Sequence, residues 1–87
     1  MTYMEHTKTL SEQLGVVLKQ VMLEQHMGQD ELANAVGVSR RTMNRILNGD
    51  VTVTYDRLTS IATALHMRLS VIIQRAEALA SKEGESK

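Results

Sequence analysis

The sequence predicts an all-α fold of five helices within one small domain. Three observations lead to this prediction. Apolar residues recur at helical spacing along most of the 87 residues, proline is absent, and two tyrosines are the only aromatic residues. A β-sandwich or barrel usually needs more β-branched and aromatic residues and more turn signals than this chain contains.

The first helix is predicted to begin behind a cap at Thr9 or Ser11 and to end near residues 26–28. Gly15 lies inside it at a cost of about 1 kcal/mol relative to alanine, which indicates that another helix approaches closely there. Residues 1–8 show no period and are expected to form a flexible arm. The apolar residues keep one face of a 3.6-residue period: Leu10, Leu14, Val17, Leu18, Val21 and Met22.

Two short helices are predicted next, over Gln29–Val36 and Arg40–Leu47. Asp30 falls in the first turn of the former, where a carboxylate favours the positive end of the helix dipole. Gly37 is expected to end that helix in a left-handed conformation, which glycine adopts without strain. Ser39 follows as the N-cap of the next helix.

The fourth helix is predicted to begin behind Thr54 and to end at Leu65, and the fifth to begin behind Ser70 and to end at Ala80. Residues 81–87 are too polar to pack and are expected to form a disordered tail. The domain therefore spans residues 9–80. The predicted core of these two helices consists of Leu58, Ile61, Ala62, Leu65, Val71, Ile72, Ile73, Ala76, Leu79 and Ala80.

Charge is unevenly distributed along the chain. The net charge is zero, but residues 37–76 hold six arginines against two aspartates, and three of those arginines lie between positions 40 and 45. The chain has no cysteine, so it has neither disulfides nor a thiolate metal site. No apolar run approaches the roughly 18 residues of a membrane span, and the N-terminus lacks a secretory signal. A cytoplasmic protein is expected.

Residues 29–47 form the most informative segment. Two short helices joined by three residues with a glycine in the turn are typical of a helix-turn-helix unit. Ala33 is small enough for the helices to cross closely, and Val38 is expected to fill the gap between them. Met43 and Ile46 would anchor the second of these helices, so that its opposite side faces outward.

This segment resembles the lambda-repressor and Cro-type helix-turn-helix family, also called the xenobiotic response element family. The resemblance covers residues 29–73 and implies sequence-specific binding of double-stranded DNA, with the third helix in the major groove. It departs from the family at Leu47, where glutamate is common, and at Asp50, which would face DNA unfavourably. The matching residues are Gln29, Leu32, Ala33, Gly37, Val38, Ser39, Asn48, Gly49, Leu58, Ile61, Ala62 and Leu65.

The resemblance also implies roles for individual residues. Arginine is the commonest specific partner of guanine in the major groove. The residues expected to contact base edges are Arg40, Arg41, Thr42, Asn44 and Arg45. The residues expected to contact the phosphate backbone, which sets register rather than sequence, are Gln29, Ser39 and Asn48.

The fifth helix carries more apolar residues than a small monomer readily buries. It either closes the core or forms a two-fold interface through residues 71–80, and we expect a homodimer. The function expected from the resemblance is that of a dimeric transcriptional repressor. One alternative is an antitoxin that represses its own promoter and binds a toxin. Another is a helix-turn-helix module that binds proteins and not DNA.

Nothing in the sequence indicates catalysis or a cofactor. The three histidines are far apart and lack the spacing of a metal site. No nucleophile lies near a base in a recognisable motif, and no glycine-rich loop could cradle a phosphate. We therefore do not expect an enzyme, and the six methionines are interpreted as flexible core residues.

Overall fold

The computed structural model describes the backbone of residues 9–85 and the side chains of residues 9–80. Within this range the chain forms five α-helices and no strand, as predicted. The helices are α1 (Leu10–Gln25), α2 (Gln29–Val36), α3 (Arg40–Leu47), α4 (Tyr55–Ala64) and α5 (Leu69–Glu85). The flexible arm predicted for residues 1–8 lies outside the described residues. None of the described helices is long and apolar enough to span a membrane.

Local side-chain caps begin three of the helices. The Thr9 hydroxyl accepts the backbone N–H of Glu12, whose carboxylate accepts the N–H of Thr9 in return. Ser39 and Thr54 cap α3 and α4 in the same way, through the N–H groups of the residues three positions on. These bonds satisfy N–H groups that have no partner inside the helix.

Residues with a left-handed backbone conformation follow the ends of three helices, α1, α2 and α4. Gly37 follows α2 with φ of 86°, as predicted. His26 and His66 adopt φ of 58° and 57° after α1 and α4. A positive φ is uncommon outside glycine, although histidine is among the residues that tolerate it. The two histidines therefore redirect the chain at helix ends.

The fifth helix differs from its prediction at both ends. It begins at Leu69, because the N–H of Ile72 already donates to the carbonyl of Arg68, so Ser70 lies inside the helix rather than capping it. It continues to Glu85, whereas a disordered tail was predicted over residues 81–87, of which residues 86 and 87 lie outside the described residues. The serine, lysine and glutamate of this segment are compatible with extending a helix that is already formed.

One hydrophobic core joins all five helices. α1 packs against α3 and α5, α2 packs against α3 and α4, and α4 packs against α5. Ile72 and Ala76 of α5 are fully buried, so α5 closes the core of the monomer. The other buried apolar residues are Leu14, Val17, Leu18, Val21, Met22, Leu32, Ala33, Met43, Ile46, Leu47, Leu58, Ile61, Ala62 and Leu65.

Two contacts fasten α1 to the second half of the chain. The Gln25 side-chain amide donates to the carbonyl oxygen of Leu65 at 2.6 Å, which ties the end of α1 to the end of α4. Arg75 of α5 lies 3.4 Å from the carboxylate of Glu24. Neither pair was predicted, because each joins residues at least 40 positions apart.

Candidate nucleic-acid interface

The arginine-rich helix α3 has one buried and one exposed side. Met43, Ile46 and Leu47 are buried in the core. Leu47 departs from the resembled family, and its 4% exposure shows that it extends the core and leaves no exposed apolar patch. The five predicted base-reading residues are all exposed: Arg40, Arg41, Thr42, Asn44 and Arg45.

The backbone of α1 fixes the position of the C-terminal end of α3. Gly15 faces the Leu47 carbonyl so closely that a Cβ there would overlap its oxygen and lie 2.9 Å from its carbon. This confirms the predicted close helix approach at Gly15. Gly49, just after α3, has φ of 76°, and a Cβ there would lie 2.6 Å from the Cα of Glu12. The absence of a Cβ at both glycines therefore allows α3 and the turn after it to lie directly against α1.

Four of the predicted site residues surround one groove of about 510 Å³. They are Gln29, Arg40, Arg41 and Asn44. Gln29 begins α2, whereas the other three lie on α3, so the groove follows the junction between the two helices. The Gln29 amide donates to the carbonyl oxygen of Arg40 at 3.4 Å. The starts of α2 and α3 are therefore in direct contact.

A second groove, of about 410 Å³, continues from the first because both include Gln29 and Asn44. Asn48 lines it from the C-cap of α3, and Lys19 lines it from α1. The sequence pattern did not single out Lys19. It follows Gly15 by one helical turn, so the helix approach predicted at Gly15 was the signal that could have identified it.

Three predicted site residues do not line either groove. The Ser39 hydroxyl accepts the N–H of Thr42 and donates to its Oγ1, both at 3.0 Å. Both hydroxyls are thus engaged at the start of α3. Arg45 is exposed in the last turn of α3, and its carbonyl accepts the N–H of Asp50 at 2.9 Å. The backbone of Asp50 is thus held at the C-terminal end of α3.

An ion pair within the site was also missed. Asp30 Oδ1 lies 3.2 Å from Arg40 Nε, with the two side chains 67% and 75% exposed. From the sequence, Asp30 was predicted only to favour the positive end of the α2 helix dipole. The sequence alone could not predict this ion pair, because it forms only where the starts of α2 and α3 meet in three dimensions. Among the described residues, no three metal-ligating side chains come together.

The buried Met43–Ile46–Leu47 side, the positive-φ Gly37 turn and the basic outer side of α3 define a helix-turn-helix DNA-binding unit. A sequence profile of the Cro/C1-type HTH DNA-binding domain matches residues 17–75. The chain belongs to this family, which confirms the predicted resemblance. Family and fold are those of a DNA-binding domain.

Solved structures show the same fold. Two crystal structures of the clp gene regulator ClgR from Corynebacterium glutamicum superpose on the chain with TM-scores of 0.86 and 0.80. The first is 23% identical and covers 90% of this chain and 83% of that chain. The second is 25% identical and covers 83% of this chain and 94% of that one. The comparison with curated proteins finds no match.

Proposed function

We propose that this protein recognises a specific sequence in double-stranded DNA by inserting α3 into the major groove. The observation that carries the proposal is the division of α3. Its apolar side is fixed in the core, and three exposed arginines lie on the remainder of its surface. A helix held in this way presents its side chains to a groove without having to reorganise.

Base recognition is assigned to the exposed side chains of α3. Arg40 and Arg41 lie in its first turn, and helix-turn-helix proteins contact base edges with the N-terminal residues of this helix. An arginine donates two hydrogen bonds to O6 and N7 of guanine, and an asparagine such as Asn44 pairs with adenine. Arg45 and Thr42 complete the proposed base-reading set.

Phosphate contacts are assigned to the residues at the rim. Gln29 and Asn48 line the two connected grooves, and Lys19 adds a positive charge to one of them. Ser39 is proposed to contact phosphate through its backbone at the start of α3, because its hydroxyl is engaged with Thr42. Such contacts fix the register of α3 on the duplex.

The protein is further proposed to act as a dimeric transcriptional repressor. ClgR, which shares the fold, is described as a gene regulator. Val71, Ile73 and Leu79 of α5 are apolar and half-buried, which leaves part of their surface for a second copy. Two α3 helices about 34 Å apart would enter successive major grooves on one face of the duplex. Binding there would occlude RNA polymerase.

In vitro selection from a random duplex pool tests the proposed recognition. The wild type should enrich a palindromic motif with guanine in each half-site. An Arg40→Ala/Arg41→Ala variant should lose that motif, and each single change should cost about 1–3 kcal/mol on the selected site. Lys82→Ala/Lys87→Ala is a control with the same loss of charge at two positions that are not among the proposed contact residues. No enrichment by the wild type at low salt would contradict the proposal.

Sedimentation equilibrium without DNA tests the proposed dimer. We expect a dimer at tens of micromolar, and an Ile73→Ser change should shift the protein toward monomer while helical circular dichroism is retained. Thr59→Ala, at an exposed position of α4, is the control. A wild type that sediments as a monomer over this range would overturn the proposed interface at residues 71–80.

A further inference from the structure

We propose that Asp30 is a positioning residue that orients Arg40 toward guanine and so sets sequence preference at one base pair of the binding site. This inference rests on the proposed recognition by α3. Asp30 itself would touch no base. It acts through the ion pair with Arg40, the one described arginine of α3 that has a carboxylate within 4 Å.

The atoms that form the ion pair support this role. The contact uses Nε of Arg40, at 3.2 Å from Asp30 Oδ1. A guanidinium has five N–H donors in a fixed plane, one on Nε and two on each terminal nitrogen. Since Nε is the engaged atom, both terminal nitrogens keep their donors. A bidentate contact to guanine O6 and N7 can use those two nitrogens end-on.

The start of α2 also holds the backbone of Arg40. Gln29, the residue before Asp30, donates its side-chain amide to the Arg40 carbonyl at 3.4 Å. Two consecutive residues of α2 therefore hold the main chain and the side chain of Arg40. Arg41 and Arg45 have no such carboxylate partner among the described residues. We therefore expect that the sequence preference depends on α2 only at the base pair contacted by Arg40.

The carboxylate also has an opposing effect on binding. It adds a negative charge at the surface that approaches DNA, so its removal should strengthen binding to any sequence and steepen the salt dependence. An exposed ion pair contributes little, and its orienting effect should be at most about fivefold in discrimination. Asp30 thus lowers general affinity and raises selectivity.

Selection with Asp30→Asn and Glu31→Gln variants tests the inference. Both residues lie in the first turn of α2, and both changes remove one negative charge. Each variant should bind nonspecific duplex more tightly than the wild type. Only Asp30→Asn should relax the preference at a single base pair, by a few-fold, with the preferences at the other positions retained.

The affected base pair is assigned with Arg40→Ala, and the coupling is measured in a double-mutant cycle. Asp30→Asn should change discrimination at that position in the wild type and leave it unchanged in the Arg40→Ala background. If the wild type selects a motif and Asp30→Asn selects the same motif as Glu31→Gln, the positioning role is overturned and the proposed function stands. If the wild type selects nothing, both fail.

A measurement without DNA checks the ion pair itself. The Arg40 Hε resonance in proton–nitrogen NMR spectra should exchange more slowly with water than that of Arg41. This protection should disappear in Asp30→Asn and persist in Glu31→Gln. Equal exchange of the two Hε protons in the wild type would overturn the inference, whatever the outcome of the selection.

Discussion

At the residue scale, the turn between α2 and α3 depends on backbone conformation rather than on space. Gly37 adopts φ of 86°, and no other atom lies within 4 Å of where its Cβ would be. Apart from its chain neighbours, a Cβ at this position would meet no other group. The cost of replacing this glycine therefore comes from the left-handed conformation alone, which residues with a Cβ reach only with strain.

Gly37→Val should lower the free energy of unfolding by about 2 kcal/mol, because a β-branched residue is strained at this φ. Gly37→Asn should cost clearly less, since asparagine tolerates the left-handed region. Urea denaturation of the two variants beside the wild type measures the difference. Equal stability of the valine variant and the wild type would mean that the turn can adopt another conformation.

At the scale of elements, α1 and α3 are joined by a contact that admits no side chain. Gly15→Ala places a methyl group against the Leu47 carbonyl. The helix propensity of alanine favours the change by about 1 kcal/mol. Overpacking opposes it by about 1–3 kcal/mol, so we expect net destabilisation or a shift of α3.

Gly28→Ser is the matched change for comparison with Gly15→Ala. Gly28 is the N-cap of α2, has φ of −81° and no side-chain cap, and leaves open space for a Cβ. A serine there should stabilise the protein by about 0.5–1 kcal/mol through capping and a less flexible unfolded chain. The midpoint of thermal unfolding should therefore fall for Gly15→Ala and rise for Gly28→Ser. A midpoint that shifts in the same direction in both variants would refute the close approach at Gly15.

At the scale of the molecule, α5 contributes unevenly to stability. Ile72 is fully buried, whereas Ile73 is half-buried. Ile72→Ala should therefore cost about 2–5 kcal/mol, and the same truncation at Ile73 should cost less. Denaturation at low protein concentration, where self-association does not contribute, measures both. Comparable losses would indicate that α5 does not pack on α1 and α4 through Ile72.

The parts of this fold that the sequence predicts are those governed by nearby residues. The caps at Thr9, Ser39 and Thr54 act within one helical turn, so their sequence spacing is sufficient. The predicted start of α5 was two residues late, at Val71 instead of Leu69, because Ser70 is a good capping residue that lies inside the helix in the structure. Local preference is a weak guide where tertiary contacts compete with it.

Contacts between distant residues could not be predicted in the same way. The amide of Gln25 meets the Leu65 carbonyl only because α1 and α4 end at the same place. The pair of Asp30 and Arg40 likewise depends on how α2 and α3 cross. The outer residues of α3 could be identified from periodicity, but their partners could not.

The glycine contacts between α1 and α3 have a consequence for genetic screens of this protein. A screen scored only by promoter occupancy in cells should recover substitutions at Gly15 and Gly49 as readily as substitutions at the arginines. These glycines face the backbone of the partner element and would touch no base. Mutational sensitivity along this chain would therefore report the packing that supports α3 as well as the proposed DNA contacts of α3.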